Sequence, residues 1–178
     1  LIIYYYDYKI TPEVKEDLYL TINYNEINEY INISLNLDSE HQNEDGNMIN
    51  PAKKQIAITF DDGPGNYTEE LVDILKDNKA RSTFFILGIN ISGHEEVLKK
   101  SFANGNEIGY HSYNHQNFLR QEIDEIIVEF NKSNEELIAA IGSGFTLIRP
   151  PYGSINEKIK ESLDLPIILW NIDTEDWR

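Results

Sequence analysis

Residues 55–64 read QIAITFDDGP: an alternating apolar run, Gln55 to Phe60, that breaks into two carboxylates, a glycine and a proline. The run has the length and composition of a strand, and Asp61-Asp62-Gly63-Pro64 closes it. Outward from this point, short apolar runs alternate with amphipathic helices. Helix is expected over 68–78, with Leu71, Ile74 and Leu75 on one side. Strand follows over 82–87, helix over 95–103 and a short strand over 107–110. A long helix over 121–141 carries Ile123, Ile126, Ile127, Phe130, Leu137, Ile138 and Ile141 at helical spacing. Strand 146–148, helix 156–162 and strand 166–172 complete the series. Repeated β–α alternation predicts a parallel sheet or barrel with right-handed crossovers. About five units are visible, fewer than a closed eightfold barrel needs, so an open, smaller or shortened barrel is expected.

Composition narrows the partners. The 178 residues are 40% hydrophobic and 26% charged, enough for one full domain or a domain plus a fragment. A net charge of −16, from 31 acidic against 15 basic residues, argues against nucleic acid, whose phosphates need clustered Lys and Arg. It also disfavours strongly anionic polymers such as teichoic acids, although a local pocket can depart from the net field. The absence of cysteine excludes disulfides and thiolate metal sites but does not fix the compartment. The apolar opening, Leu1 to Tyr6, is too short for a signal or spanning segment, so any export signal or membrane anchor is expected upstream of it. Residues 1–38 contain the alternating runs LYLTINY and INISLNL and read as a β-rich segment, the end of an upstream module. Residues 39–51 are polar and read as a linker, with His41 a solvated linker histidine. Residues 52–178 form the β/α domain.

In β/α architectures, reactive groups collect at the C-terminal ends of the strands, and four polar clusters fall there. Asp61 and Asp62 repel each other unless a cation or an arginine compensates, yet an ordinary exposed turn explains them equally well. His111 and His115 in HSYNH share one face if the segment is a helical turn, so that both imidazoles reach one ion. With Asp62 they make a two-histidine, one-carboxylate set that suits Zn²⁺, with Fe, Co and Mn also open. In RPPYG the prolines stiffen a turn and Arg149 supplies a permanent charge that can hold a carboxylate. In DTEDW, a Trp beside an Asp suits a sugar face and its hydroxyls, though a packed Trp with solvated acids is the simpler reading. Four such strand ends in a row outweigh any one alone.

TFDDGP (Thr59–Pro64), HSYNH (His111–His115), RPPYG (Arg149–Gly153) and DTEDW (Asp173–Trp177) resemble, in order, four of the five motifs of the polysaccharide deacetylases, carbohydrate esterase family four. The resemblance covers about residues 52–178, and the segment from Leu147 to Trp177 looks most like the peptidoglycan N-acetylglucosamine deacetylases of Gram-positive bacteria. It implies a distorted (β/α) barrel, C-terminally incomplete here, acting outside the cell or at its surface on peptidoglycan or another N-acetylated glycan. By motif, Asp61 becomes the general base, Asp62, His111 and His115 the metal ligands, and Arg149 the residue that orients Asp61. The Tyr152 backbone N–H becomes an oxyanion donor, Asp176 tunes an acid histidine, and Tyr152 and Trp177 border the sugar. Members acting on muramic acid tend to carry Arg in place of Tyr152, which favours N-acetylglucosamine.

The family's fifth motif, a Leu followed closely by the acid histidine, does not occur before Arg178, and His41 and His94 stand in the wrong places to replace it. The expectation is a chain short of one or two β/α units, able to bind metal yet slow to turn over. Deacetylation of chitin oligomers, exopolysaccharide or xylan is the competing enzymatic reading. A catalytically impaired glycan-binding module is the alternative from another class.

Overall fold

The computed structural model describes residues 2–4 and 56–177. The β-rich segment beyond Tyr4 and the linker therefore lie outside the described residues. The chain divides into two units, one holding Leu1–Tyr4 with Ile58–Arg178 and the other Tyr5–Ala57. Among the described residues no helix is long and apolar enough to cross a membrane.

The alternation read from the sequence is the one observed. Strand β2 (Ala57–Gly63) leads through helix α1 (Thr68–Asp77) to β3 (Thr83–Ile86), and α2 (Glu95–Ala103) leads to β4 (Glu107–Tyr110). The long α3 (Ile123–Ile141) and short α4 (Glu157–Ser162) follow. β2, β3 and β4 pair in parallel, with Thr59 opposite Thr83 and Phe84 opposite Ile108. Single parallel bridges extend this order from Tyr110 to Ile148 and from Ile148 to Ile167. These parallel strands with helical crossovers make part of a (β/α) barrel. The backbone of β1 (Ile2–Tyr4) pairs antiparallel with β5 (Ile172–Asp173).

Four expectations are corrected. β2 does not stop at Phe60 but runs on through the aspartates to Gly63, with a register shift between Asp61 and Gly63. The expected strands 146–148 and 166–172 shrink to the two bridges and the two residues of β5. On α1 the buried positions are Val72 and Leu75, while Ile74 is exposed. On α3, Ile138 is also exposed, and the small residues Ser133 and Ala140 take buried places. Hydrophobicity alone misplaces such a stripe, because a close helix approach selects for size.

Phe84, Ile86, Ile108, Tyr110 and Ile148 from the strands meet Val72, Leu98, Ile126 and Leu137 from the helices in one apolar core. Burial of this surface is the main driving force for the unit. α3 is stopped by Gly142 at φ 78°, where a side chain would be strained. One close approach matters for the site. Gly109 lies opposite Phe85, and a Cβ on Gly109 would come within 2.5 Å of the Phe85 ring. That ring is fully buried and carries the Arg149 guanidinium 3.9 Å above its centre. Gly109→Ala is expected to destabilise the unit by roughly 1–3 kcal/mol through overpacking. Urea unfolding of the variant measures this, and an unchanged midpoint would show that Phe85 can move aside.

Candidate active site

The extended β2 gives its two adjacent aspartates different surroundings. In a regular strand they would point to opposite faces. Here the bulge and a φ of 68° at Asp62 turn that residue outward, leaving its side chain 61% exposed against 12% for Asp61. Asp61 meets Arg149, whose Nη1 donates to Asp61 Oδ1 at 2.6 Å and to Thr59 Oγ1 at 2.8 Å. Arg149 Nε and Nη2 donate to the carbonyls of Ile168 and Leu169 at 3.3 and 3.2 Å. The guanidinium is wholly buried, and its donors bind two different chain segments.

His111 continues β4 and is almost fully buried, with its amide donating to the Ile86 carbonyl at 2.9 Å. Its Nδ1 lies 2.7 Å from the Arg149 carbonyl oxygen. A carbonyl only accepts, so Nδ1 carries the proton and the neutral ring keeps its Nε2 lone pair. The expected helical turn linking His111 to His115 is not formed. Ser112 and His115 both have positive φ, 68° and 63°, and this irregular turn brings the rings to 5.2 Å between centres. His111 Nε2 lies 3.5 Å and His115 Nε2 3.4 Å from Asp62 Oδ1. All three ligand atoms fall within 4.8 Å of one another.

The donor set fits a divalent ion. Ligands held about 2.0–2.1 Å from a tetrahedral centre stand about 3.4 Å apart, close to the two His–Asp separations seen. Burial pushes the His111 pKa down to about 4, against the opposing pull of the Arg149 carbonyl and Asp62, so the ring is neutral as a ligand must be. Asp61 Oδ2 lies 3.7 Å from His111 Nε2, beside the group and not within it. Burial pushes the Asp61 pKa up to about 6, with Arg149 pulling it down and Asp62 adding to the rise.

Tyr152 also has positive φ, at 61°, and is 65% exposed. Its hydroxyl lies 3.2 Å from His115 Nδ1, and the two rings meet edge-on at 4.7 Å. Of six non-glycine residues with positive φ among the described residues, Asp62, Ser112, His115 and Tyr152 belong to this site. Such backbone persists where the surrounding structure over-determines it. Asp176 Oδ1 accepts from Thr174 Oγ1 at 2.5 Å, and Trp177 is 69% exposed. Neither belongs to the Asp62–His111–His115 group. Residue roles missed in the sequence include Thr59, which shares Arg149 with Asp61, and Asn90, whose Nδ2 donates to the Asp62 carbonyl at 3.2 Å. Thr59 stood inside a quoted motif, whereas Asn90 gave no signal.

Fold and site together define a β/α-barrel protein with a histidine–carboxylate group able to hold a metal ion at its strand ends. The family model described as polysaccharide deacetylase matches residues 49–165, and the chain belongs to that family. It is 37% identical over 131 residues to the peptidoglycan-N-acetylmuramic acid deacetylase PdaC of Bacillus subtilis, covering 73% of this chain and 28% of that protein. It is 36% identical over 126 residues to the peptidoglycan-N-acetylglucosamine deacetylase PgdA of Listeria monocytogenes, covering 70% of this chain and 27% of that one. The solved structure of PdaC superposes with a TM-score of 0.65 at 37% identity, over 68% of this chain and 60% of that one. The chain thus spans little more than a quarter of the length of these two curated relatives.

Two outcomes follow for the site. Arg149→Met leaves the Asp61 carboxylate in an enclosed site without its cation, and a stability loss on the order of 3–5 kcal/mol is expected in denaturant titration. Tyr152→Phe removes the hydroxyl partner of His115 Nδ1, and divalent-metal affinity measured by calorimetry should fall roughly 10-fold or more with folding unchanged. Unchanged affinity would assign that hydroxyl elsewhere.

Proposed function

We propose that this chain hydrolyses the N-acetyl group of N-acetylglucosamine residues in peptidoglycan, in a metal-dependent reaction outside the cell or at its surface. The observation that carries the proposal is the pairing of a buried, arginine-held carboxylate with a histidine–carboxylate metal group at adjoining strand ends. Asp62, His111 and His115 would hold the ion. Zn²⁺ suits two imidazoles and a carboxylate, and Co²⁺, Mn²⁺ or Fe²⁺ fit the same donors. Such an ion supplies Lewis acidity toward water and the acetamide carbonyl.

The rest of the work falls to side chains. Arg149 binds Asp61 Oδ1, which leaves Oδ2 to accept a proton from the attacking water. The Tyr152 backbone N–H is assigned to the oxyanion, a contribution of about 3–4 kcal/mol in comparable hydrolases. Trp177 offers an exposed indole to the sugar face, and Asp176 is assigned to tune the acid group. Among the described residues the candidate ligand group holds two histidines, His111 and His115.

One relative is named for muramic acid and another for N-acetylglucosamine, so the sugar is the first thing to test. At His115 stands a neutral Tyr152 ring, not a cation that would meet a lactyl carboxylate on the reacting sugar itself. N-acetylglucosamine is therefore preferred. Acetate should be released from peptidoglycan and N-acetylglucosamine oligomers, should stop with chelator and return with zinc, and should vanish in Asp61→Asn. Zinc binding without acetate release from any glycan would leave a binding module.

The pH dependence follows from Asp61. The base works only when ionised, so kcat/KM should fall about tenfold per pH unit below its pKa. A bound cation favours the carboxylate, which places the acid limb at or below about 6. An acid limb well above 7 would remove Asp61 from the role.

A further inference from the structure

Beside the metal group lies an open cavity of about 570 Å³ lined by His115, Gln116, Asn117, Arg120, Gln121 and Tyr152. Arg120 is the one cation among its lining residues, in a chain of net charge −16. Among the described residues it has no ion-pair partner within 4.0 Å, unlike Lys99, Lys100, Arg149 and Lys160. Its backbone is fixed. Phe118 is buried at the start of the turn, Asn117 Oδ1 accepts from the Leu119 amide at 2.9 Å, and the Arg120 amide donates to the Asn117 carbonyl at 2.9 Å. Asn117 Nδ2 in turn donates to Ser154 Oγ at 3.1 Å, tying this turn to the loop that carries Tyr152. Next to Arg120, Gln121 gives its Nε2 to Glu129 at 3.0 Å and leaves a buried Oε1 without a partner.

A neutral sugar needs only amides and hydroxyls to be held. A planar guanidinium adds two-point recognition of a carboxylate. We propose that Arg120 binds a carboxylate of the glycan next to the acetylated sugar, making the site selective for acidic-sugar strands over neutral polymers. This rests on the deacetylase reading above and names the substrate feature that reading leaves open. In peptidoglycan the carboxylate has two sources: the lactyl group of a peptide-free muramic acid, or the stem peptide where that lactyl group is amidated.

Binding separates the sources. Affinities of the full chain carrying Asp61→Asn, with and without Arg120→Gln, are measured by calorimetry for three tetrasaccharides. These are a neutral N-acetylglucosamine oligomer, a peptide-free N-acetylglucosamine–muramic acid strand, and the same strand bearing stem peptides. Arg120→Gln should weaken binding of at least one acidic strand roughly tenfold while changing the neutral oligomer less than twofold. Arg120→Lys should restore part of the loss, and added salt should narrow the preference. Loss on the peptide-free strand identifies the lactyl carboxylate, and loss only on the peptide-bearing strand identifies the peptide. Equal loss on all three glycans, or no loss on either acidic one, overturns the proposal. Acetate release by the chain with Asp61 intact is scored separately. Release without acidic-strand selectivity sinks this inference alone, whereas selectivity without release sinks the deacetylase reading.

Discussion

The Arg149 guanidinium is fully removed from water, and the site is arranged around what it needs there. A buried cation is tolerated only when its charge and its donors are matched. Asp61 supplies the charge, Thr59 and the carbonyls of Ile168 and Leu169 supply acceptors, and the Phe85 face covers one side. Those partners come from β2, β3 and the stretch after the Ile167 bridge. One side chain thus ties together strands that the sheet hydrogen bonds bring near but do not orient. The same residue reaches the metal group through its backbone, because its carbonyl accepts from His111 Nδ1. The orientation of the Asp61 carboxylate and the tautomer of His111 are set by one residue's two ends.

Two neighbouring carboxylates meet different surroundings because the chain treats them differently. Burial outweighs the arginine at Asp61 and raises its proton affinity, while Asp62 is turned outward toward two imidazole nitrogens. Positive φ at Asp62, Ser112, His115 and Tyr152 re-aims side chains that regular strand or helix geometry would have sent elsewhere. The parallel strands behind them hold those turns in place. Reactive groups sit on irregular backbone and rigidity comes from the sheet, a division common to sites at strand ends.

The order of helices and strands was legible because the apolar periods of QIAITF, STFFIL and the long α3 are clean. The edges were not. Asp61-Asp62-Gly63 looks like a turn by residue type, yet it stays in β2, since the bulge lets polar side chains leave the pleat without ending the pairing. Ser133 and Ala140 were invisible as core because small size, not hydrophobicity, admits them. At the site, the cluster of Asp62 with His111 and His115 was readable from residue type and position at strand ends, and the three lie together. The helical turn supposed to join the histidines was the wrong reason for a correct proximity. The contacts of Thr59 and Asn90 with the site depend on three-dimensional adjacency that no local spacing encodes.

Net charge and local charge point in different directions in this molecule. At −16 the chain repels anions at long range, an effect that salt screens beyond about 8–10 Å. Inside a cavity the nearest groups decide instead. The buried arginine is neutralised by Asp61, so it adds little attraction for a ligand. Arg120 is exposed to the cavity and carries no ion pair among the described residues, so its field is available to whatever enters. A glycan strand with spaced carboxylates suits that arrangement better than a dense polyanion, because only one acidic group need approach the cation while the rest stay in solvent.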